Sequence, residues 1–559
     1  MTRVGCSRAI TAGGLLLAVW FSGCVAPEAP VPEEQATANV SDEPAPQADG
    51  AELPRGIESI RLDGNVALLA PRQRAMVLHL VAAAFEMNAI FWQQSYGQRG
   101  EFLDSVTDPS LRRWAEFNYG PWDRFRDNLP FIDGHGPRPR GGRLYPTDMS
   151  ADEFLSMNLP EMRQPLTVVG RATNGGLTTV PYREAYRESL ERAARQLAMA
   201  ADHCDDPYFK RYLTLRARAL ITDDYGPSDL AWARLRGNMV DLVLGPVDHG
   251  EDDLFGLKSF YSGWVLLADQ PWTQRLGRFA EQLPAFRRTM PLARDGHQEE
   301  LGATAVSGVY DAVFVSGAAN AGPKASVVQI SLKDRVGRPV ATKRLYLRNV
   351  MRARFERTTL PLGQEMIVRD QRRWISFNAF LDNVALADLA RGPSSVVSSA
   401  RSALRERFEL IDDSRSGALG IHLLGWLHDL GEPSLEELDG HLVTFVAALL
   451  EDIYRGGSDP RASEAILQFN YLKAYGAVTR EKATGRYRVH AAAAREALGS
   501  LATQLMFIEG NRDYEAAGRF LEDMGGLDAV LKNDLQRLSG TEFPLGLVFE
   551  QSPEALGLR

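Results

Sequence analysis

Cysteine is scarce in this sequence. The 559-residue chain has three, and because Cys6 and Cys24 fall in an N-terminal leader, only Cys204 remains for the folded part. We therefore predict no intramolecular disulfide and a fold that depends on core packing. A cysteine nucleophile is not indicated either, since His203 is adjacent to Cys204 in sequence and adjacent residues seldom form a catalytic pair.

A basic surface is also missing. The formal net charge at pH 7 is −9, and loss of a leader that carries Arg3 and Arg8 but no acid would take it to −11. The chain has no long run of basic residues. This charge balance argues against nucleic acid as a partner.

Residues 1–24 are typical of an export signal. Two arginines precede an apolar stretch, residues 15–21, that is too short to span a bilayer comfortably, and small residues stand directly before Cys24. This arrangement resembles a bacterial lipobox, so we predict lipidation of Cys24 and a membrane anchor; an ordinary cleaved signal is the alternative. Because Val25 and not aspartate follows, the resemblance implies a bacterial envelope lipoprotein at the outer membrane, facing the periplasm.

The next segment, residues 25–56, is too polar to form a core. It holds seven acids against Arg55 among repeated proline and alanine. Such a composition is typical of a solvated chain, so we predict a disordered acidic tether. About 500 residues remain for the folded body, enough for two sizeable domains.

Hydrophobic periodicity predicts helix over most of this body. Apolar residues recur at helical spacing in residues 73–96 and 182–202, and strands are indicated by alternation in residues 309–314, 326–332 and 344–347. From Phe380 onward the pattern returns to helix. We therefore predict an α+β fold that is mostly α-helical.

Nine short segments stand in order along the chain. They are IFWQQSYG (90–97), NYGPWDR (118–124), YPTDM (145–149), VPYREAY (180–186), DDYGPSDLAW (223–232), GPVDHGEDDLFG (245–256), NAG (320–322), QFNYL (468–472) and DYEAA (513–517). Together they resemble the dipeptidyl peptidase III family of zinc metallopeptidases in its bacterial form.

This resemblance implies two lobes that face each other across a wide cleft, which takes an extended peptide. After the leader (1–24) and the tether (25–56), we assign residues 57–360 to a mixed α/β lobe with a small barrel-like sheet. Residues 361–540 form a helical lobe, which holds zinc in active members, and residues 541–559 form a C-terminal tail.

The family's zinc motif is altered in this chain. Active members carry His-Glu-x-x-His after a run that this sequence has as FNAFL, and counting onward places Ala387 and Arg391 at the two histidines and Asp388 at the catalytic glutamate. A later acidic motif matches DDSRSG, with Asp413 at the third ligand. A histidine that acts in the transition state is matched by Arg461.

These replacements remove the chemistry that zinc catalysis needs. Alanine offers no ligand, and a protonated Arg391 repels a dication. Asp388 is one methylene shorter than glutamate, so it would sit back from a metal-bound water. We predict no intact catalytic site and no cofactor, with Arg391 paired to Asp413 and Asp388 in place of the metal.

The predicted function is therefore non-catalytic: a peptide or protein partner binds in the cleft, and lipidated Cys24 contacts the membrane. A purely structural lipoprotein, with side chains or loops filling the cleft, is a further interpretation. The alternative from the enzyme class is a hydrolase that releases dipeptides or short peptides with a relocated zinc site. His422, His428 and Glu437 are its candidate ligands. However, the two histidines are six residues apart, about 240° around a helix, so the simpler interpretation is a buried helix over residues 418–430.

A glycine-rich segment before the predicted strand 326–332 resembles a phosphate loop. In this segment Gly317 and Gly322 precede Lys324, but Pro323 intrudes and no serine or threonine directly follows the lysine, so the motif fails. The family resemblance instead places this segment at the start of the strand that lines the cleft. Ser331 then stands near a family asparagine that holds the substrate backbone.

Overall fold

The structure, a computed structural model, describes residues 53–551 apart from 63, 65, 158, 291–305, 334–338, 392–396, 433–436, 457–459, 541–542 and 545. The described residues belong to one compact unit. The leader, Cys24 and nearly all of the predicted tether lie outside them.

The described chain has nine α-helices before residue 290 and ten more after residue 347. The first nine are α1 (Pro71–Ser95), α2 (Arg99–Ser105), α3 (Pro109–Asn118), α4 (Ala151–Ser156), α5 (Tyr182–Ala185), α6 (Arg187–Asp202), α7 (Pro207–Thr222), α8 (Gly226–Ala233) and α9 (Gln270–Arg287). The later helices are α10 (Arg348–Arg354), α11 (Leu360–Met366), α12 (Phe377–Arg391), α13 (Val397–Leu404), α14 (Phe408–Asp429), α15 (Leu438–Arg455), α16 (Pro460–Ala474), α17 (Ala491–Asn511), α18 (Tyr514–Met524) and α19 (Ala529–Gln536). One π-helical turn, Phe355–Thr359, joins α10 to α11.

The strands form one sheet of five and several pairs. The five are β6 (Val240–Asp248), β7 (Phe260–Ala268), β8 (Val306–Gly317), β9 (Val327–Lys333) and β10 (Pro339–Leu347). The paired strands are β1 (Ile57–Arg61) with β13 (Gly546–Glu550), β2 (Trp122–Asp123) with β3 (Leu129–Pro130), β4 (Thr167–Arg171) with β5 (Leu177–Pro181), and β11 (Val478–Arg480) with β12 (Tyr487–Val489).

The five-stranded sheet has the order β6-β7-β8-β10-β9. Neighbours are antiparallel except β8 and β10, which are parallel. Strand β9 therefore ends the sheet among the described strands, with one side bonded to β10. Such an edge leaves backbone N–H and C=O groups for another chain to pair with.

Two hydrophobic cores lie on opposite faces of this sheet. Leu345 and Leu347 of β10 pack into the first core, while the intervening Tyr346 packs into the second, as the alternation of a strand requires. The first core joins the sheet to α1, α6 and α7, and the second is built mainly from α11 to α17. The chain is thus mostly helical with a mixed sheet and two lobes, as predicted; the domain boundaries stay predictions.

Helix α1 is the central helix of the first core. Its length and composition would also suit a membrane span, but 56% of its most apolar window is buried inside the protein. Leu80, Met87 and Phe91 are completely buried on it. Packing against α6 and the sheet accounts for its apolar character.

The elements predicted from the sequence are present, but the structure adds short strand pairs that were not predicted, among them the hairpin β11-β12 in the region expected to be helical. Three further differences have a physical explanation. The helix predicted over 182–202 is broken at Tyr186 into α5 and α6. Strands β6 and β7 were not predicted, because they are buried almost throughout and such strands lack polar–apolar alternation. The C-terminal region, predicted as a tail, contributes β13, and Leu547 and Phe549 pack into the first core.

Candidate functional site

Helices α12 and α14 carry most of the predicted site. Ala387, Asp388 and Arg391 lie in the last part of α12, and Asp413 lies near the start of α14. The two helices touch at Gly420, where an added Cβ would lie 2.5 Å from both N and Cα of Ala387. Only glycine fits so close an approach to another backbone. The predicted positions on α12 are thereby held directly against α14.

Arg391 joins these two helices by ion pairs. Its Nη2 donates to Asp413 Oδ1 at 2.5 Å, and its Nη1 lies 3.4 Å from Asp412 Oδ2. Burial opposes the charge on Arg391, but the charges of Asp413 and Asp412 outweigh it and raise its pKa. The predicted pair with Asp413 is therefore present, whereas Asp388 contributes only a longer-range attraction.

Asp412 is shared with a second arginine. Arg415, one turn further along α14, pairs with Asp412, and its Nε lies 2.7 Å from Glu509 Oε2 on α17. The Arg415 side chain is only 9% exposed. Burial opposes its charge as well, but Glu509 and Asp412 keep its pKa raised. A continuous set of charged pairs thus connects α12, α14 and α17.

Asp388 connects this site to the sheet. Burial raises the pKa of its carboxyl, and the charges of Arg344 and Arg391 only partly oppose this shift. The backbone carbonyl of Asp388 accepts a hydrogen bond from Arg344 Nη1 at 2.5 Å, and Arg344 Nε donates to Gln329 Oε1 on the edge strand β9 at 3.0 Å. One arginine side chain therefore spans from the edge of the sheet to the altered zinc motif.

Glu464 was not predicted, but it lies beside the same cluster. Burial, followed by the charges of Asp413 and Asp452, raises its pKa to about 8, so it is mostly protonated at neutral pH. Its Oε1 accepts a hydrogen bond from Gln468 Nε2 at 2.8 Å and would lie 2.9 Å from a Cβ at Gly417. The sequence signal was its position one helical turn before the QFNYL segment, which faces α14.

Arg461 and Ser331 lie at the margins of this cluster. Arg461 is exposed at the start of α16, and its charge acts on Asp452 and Arg455. Ser331 lies in β9, opposite Thr342 of β10. Arg461 thus acts on the cluster through Asp452, and Ser331 belongs to the same edge strand as Gln329.

The relocated metal site is not formed. His422 packs against Phe286, with ring centroids 5.7 Å apart, and burial lowers its pKa. His428 is exposed at the end of α14, whereas Glu437 precedes α15 and accepts a bond from His441 through its backbone. Within the described residues, no group of three His, Cys, Asp or Glu side chains could hold a metal ion. The alternative in which His422, His428 and Glu437 act as metal ligands therefore has no support in the described residues, because the six-residue spacing directs the two histidines to different sides of α14.

Zinc, the metal that the resemblance implies, does not fit the residues at the matched positions. Ala387 has no donor atom, and Arg391 brings a positive charge to within ion-pair distance of both aspartates on α14. Those carboxylates are already neutralised by Arg391 and Arg415. A dication would have to displace an arginine from its ion pairs to be bound here.

The chain is similar to one curated protein and to several solved structures. No protein-family model matches the chain. Among curated proteins, Nudix hydrolase 3 of Arabidopsis thaliana is 24% identical across 87% of this chain and 72% of its own length.

Solved structures match over nearly the whole described body. The structure of DPP III from Caldithrix abyssi superposes with a TM-score of 0.84 and 26% identity, covering 90% of this chain and 99% of that one. Dipeptidyl-peptidase III from Corallococcus sp. strain EGB gives a TM-score of 0.75 and 25% identity, covering 91% and 99%. With the ordered segments and the two-lobed fold, these matches show a dipeptidyl peptidase III-like fold and support a relation to that family.

Proposed function

We propose that this chain is a catalytically inactive member of the family that binds an extended peptide, or an extended segment of a protein partner, in the cleft between its lobes. The observation that carries the proposal is the Arg391 ion pair with Asp413 at positions matched to zinc ligands. A charge-paired arginine there stabilises the contact between α12 and α14 but cannot polarise a peptide carbonyl as a metal does.

Peptide binding is supported by the edge strand β9. The side of β9 that no described strand pairs with offers backbone groups to an extended peptide, which is the usual mode of β-strand addition. Val328 and Ile330 are buried in the first core, while Gln329 between them is exposed and bonded to Arg344. These contacts fix strand β9 in place near α12, which carries the positions matched to the family's zinc motif.

Localisation is part of the same proposal. The lipobox-like sequence before Cys24 and the acidic tether would hold the folded body at the bacterial envelope, at the outer membrane and facing the periplasm. A peptide-binding body on a lipid anchor would act on peptides or protein segments in that compartment. Labelling with a palmitate analogue should tag the wild-type chain and not Cys24→Ser.

Metal content tests the loss of catalysis. The soluble part from Leu53 is produced in zinc-supplemented medium, dialysed extensively and analysed by mass spectrometry. We expect zinc well below one equivalent per chain and no release of dipeptides from peptide substrates. One tightly held zinc with dipeptide release would show that the alternative, an active hydrolase, is correct.

A reversion variant tests the role of the ion pair. Ala387→His combined with Arg391→His returns two imidazoles to α12 beside Asp413. If the arginine replaces the metal, the variant should be less stable than wild type without zinc and should recover stability when zinc is added. Zinc binding with no loss of stability in the metal-free variant would mean that the ion pair is not structurally required.

A further inference from the structure

We propose that Arg124 and Lys324 form an anion site at the start of strand β9, which takes the C-terminal carboxylate of a peptide lying along that strand. The inference rests on the proposed peptide-binding function and adds the polarity of the ligand and the group that is recognised. It concerns the segment that resembles a failed phosphate loop, far in sequence from the altered zinc motif.

Arg124 supplies a buried donor that the described chain leaves unused. Its side chain is 8% exposed, and its Nη1 donates to both carboxylate oxygens of Glu251 at 2.7 and 2.8 Å. Its Nε donates to the Asn118 carbonyl at 2.8 Å. Nη2, however, has no hydrogen-bond partner in the described residues. Glu251 also pairs with Arg138, which has a second partner in the half-exposed Asp253, so two guanidinium groups share the Glu251 carboxylate.

Lys324 adds a second cation at the same place. The segment that carries it lies over Arg124, because a Cβ at Gly322 would be 2.7 Å from Arg124 Cβ. Lys324 Nζ donates to the Asn320 carbonyl oxygen and lies 5.2 Å from the centre of the Phe549 ring. No ion pair from Lys324 to a carboxylate is present in the described part of the chain. Burial, and then repulsion by Arg124, lower the pKa of Lys324 to about 7.

Asn320 offers an acceptor beside these two donors. Its Nδ2 donates to the Tyr119 hydroxyl at 3.3 Å, while its Oδ1 is buried without a partner in the described residues. A carboxylate alone would leave that oxygen unsatisfied. The last residue of a peptide carries both a carboxylate and an N–H, and so it can use the cations and the asparagine together.

The direction of the edge strand agrees with this chemistry. Lys324 precedes the first residue of β9, Val327, by three positions. A peptide that adds to β9 in antiparallel orientation has its C-terminal end at the start of β9. The opposite polarity would bring a peptide ammonium group to two cations, which is unfavourable. The charges therefore select the antiparallel orientation.

The first experiment measures the anion site without any peptide. Thermal unfolding of the soluble part from Leu53 is followed at pH 7 with inorganic phosphate or with chloride at matched ionic strength. Wild type is compared with Lys324→Met, Lys324→Gln and the control Lys482→Met, which loses the same charge from an exposed hairpin position. We expect phosphate to raise Tm by about 2 °C or more in wild type and the control and by less than half of that in both Lys324 variants. Equal shifts in all four proteins would overturn the site.

The second experiment tests the peptide carboxylate. A pool of N-acetylated five-residue peptides, prepared as free acids or as C-terminal amides, is equilibrated with each protein and the retained peptides are quantified by mass spectrometry. We expect wild type and Lys482→Met to retain acids about tenfold or more over amides, and Lys324→Met to lose this preference.

The outcomes separate the two proposals. Equal retention of acids and amides would overturn the carboxylate site and leave peptide binding standing. Retention of neither pool would overturn the proposed function and the peptide carboxylate with it, even if phosphate still raised Tm.

Discussion

Two charged regions of this protein differ in how many of their basic groups have a carboxylate partner. At the contact of α12 with α14, Arg391 and Arg415 share Asp412, and each has a further carboxylate of its own. At the start of β9, Arg124 keeps one donor atom without a hydrogen-bond partner in the described residues, and Lys324 has no ion-pair partner there. Where every basic group is paired with a carboxylate, the ion pairs hold helices together. Where a basic group lacks such a partner, an anionic ligand can supply the missing charge. The same residue types therefore suggest structure in one place and recognition in the other.

Removal of Arg415 should produce the largest effect and would break this comparison most directly. Arg415→Met leaves Asp412 and Glu509 buried beside each other without their shared cation, which should lower the free energy of unfolding by about 3–5 kcal/mol. Urea denaturation measures it. The control is Arg401→Met, whose pair with Glu409 is exposed on both sides and should contribute less than about 1 kcal/mol. Equal losses would show that the buried network has no special structural role.

The contact between α12 and α14 can be tested without changing any charge. Gly420→Ala places a methyl group 2.5 Å from backbone atoms of Ala387, so the helices must separate, at a cost of about 2–3 kcal/mol. Gly277→Ala is the matched control, because nothing lies within 4 Å of its added Cβ and a helical alanine is favoured by about 0.5–1 kcal/mol. If both variants were more stable than wild type, the close approach would not exist in solution.

Lys324 should give the smallest and most pH-dependent effect. Its pKa of about 7 in the folded protein lies below the ordinary 10.5, so between these values the unfolded chain binds more protons and stability rises with pH. Arg124 is the charged group that acts directly on Lys324, and Arg124 in turn interacts with Glu251 and Asp248, while Arg138 joins Glu251 to Asp253.

The variant Lys324→Met tests this pH dependence. In chloride it should be more stable than wild type by about 1–3 kcal/mol at pH 6, with the difference vanishing near pH 10. Urea denaturation across this range measures the difference. A constant difference at all pH values would contradict a buried, destabilised ammonium group.

Much of the fold was predictable from local patterns. The apolar period of residues 73–96 is that of α1, and the alternation in residues 326–332 is that of β9. Strands β6 and β7 escaped prediction because both faces are buried, so the polar positions that normally reveal a strand are absent. The break at Tyr186 between α5 and α6 depends on packing of Tyr182 and Tyr186 against Tyr261, which no local pattern records.

For the candidate sites too, some residues could be predicted from the sequence and others could not. The replacement of histidines by Ala387 and Arg391 can be seen in the letters of the motif, because ligand chemistry depends on residue type at a known spacing. The partners of Arg391 could be proposed for the same reason. The roles of Glu464, Arg344 and Arg124 could not, since each is defined by a neighbour 44 or more residues away in the chain, or by an atom left without a partner in the described residues.

Residue identity along the chain was thus sufficient to predict the helical character of the fold, which the structure shares, because it depends on local spacing. The export leader, the acidic tether and the altered zinc motif are predictions of the same kind. The close contact at Gly420, the shared use of Asp412 and the approach of Arg124 to Lys324 arise only when distant segments meet. Burial and the balance of nearby charges are set by the tertiary structure, and they determine whether an arginine is paired within the protein or can bind an external anion.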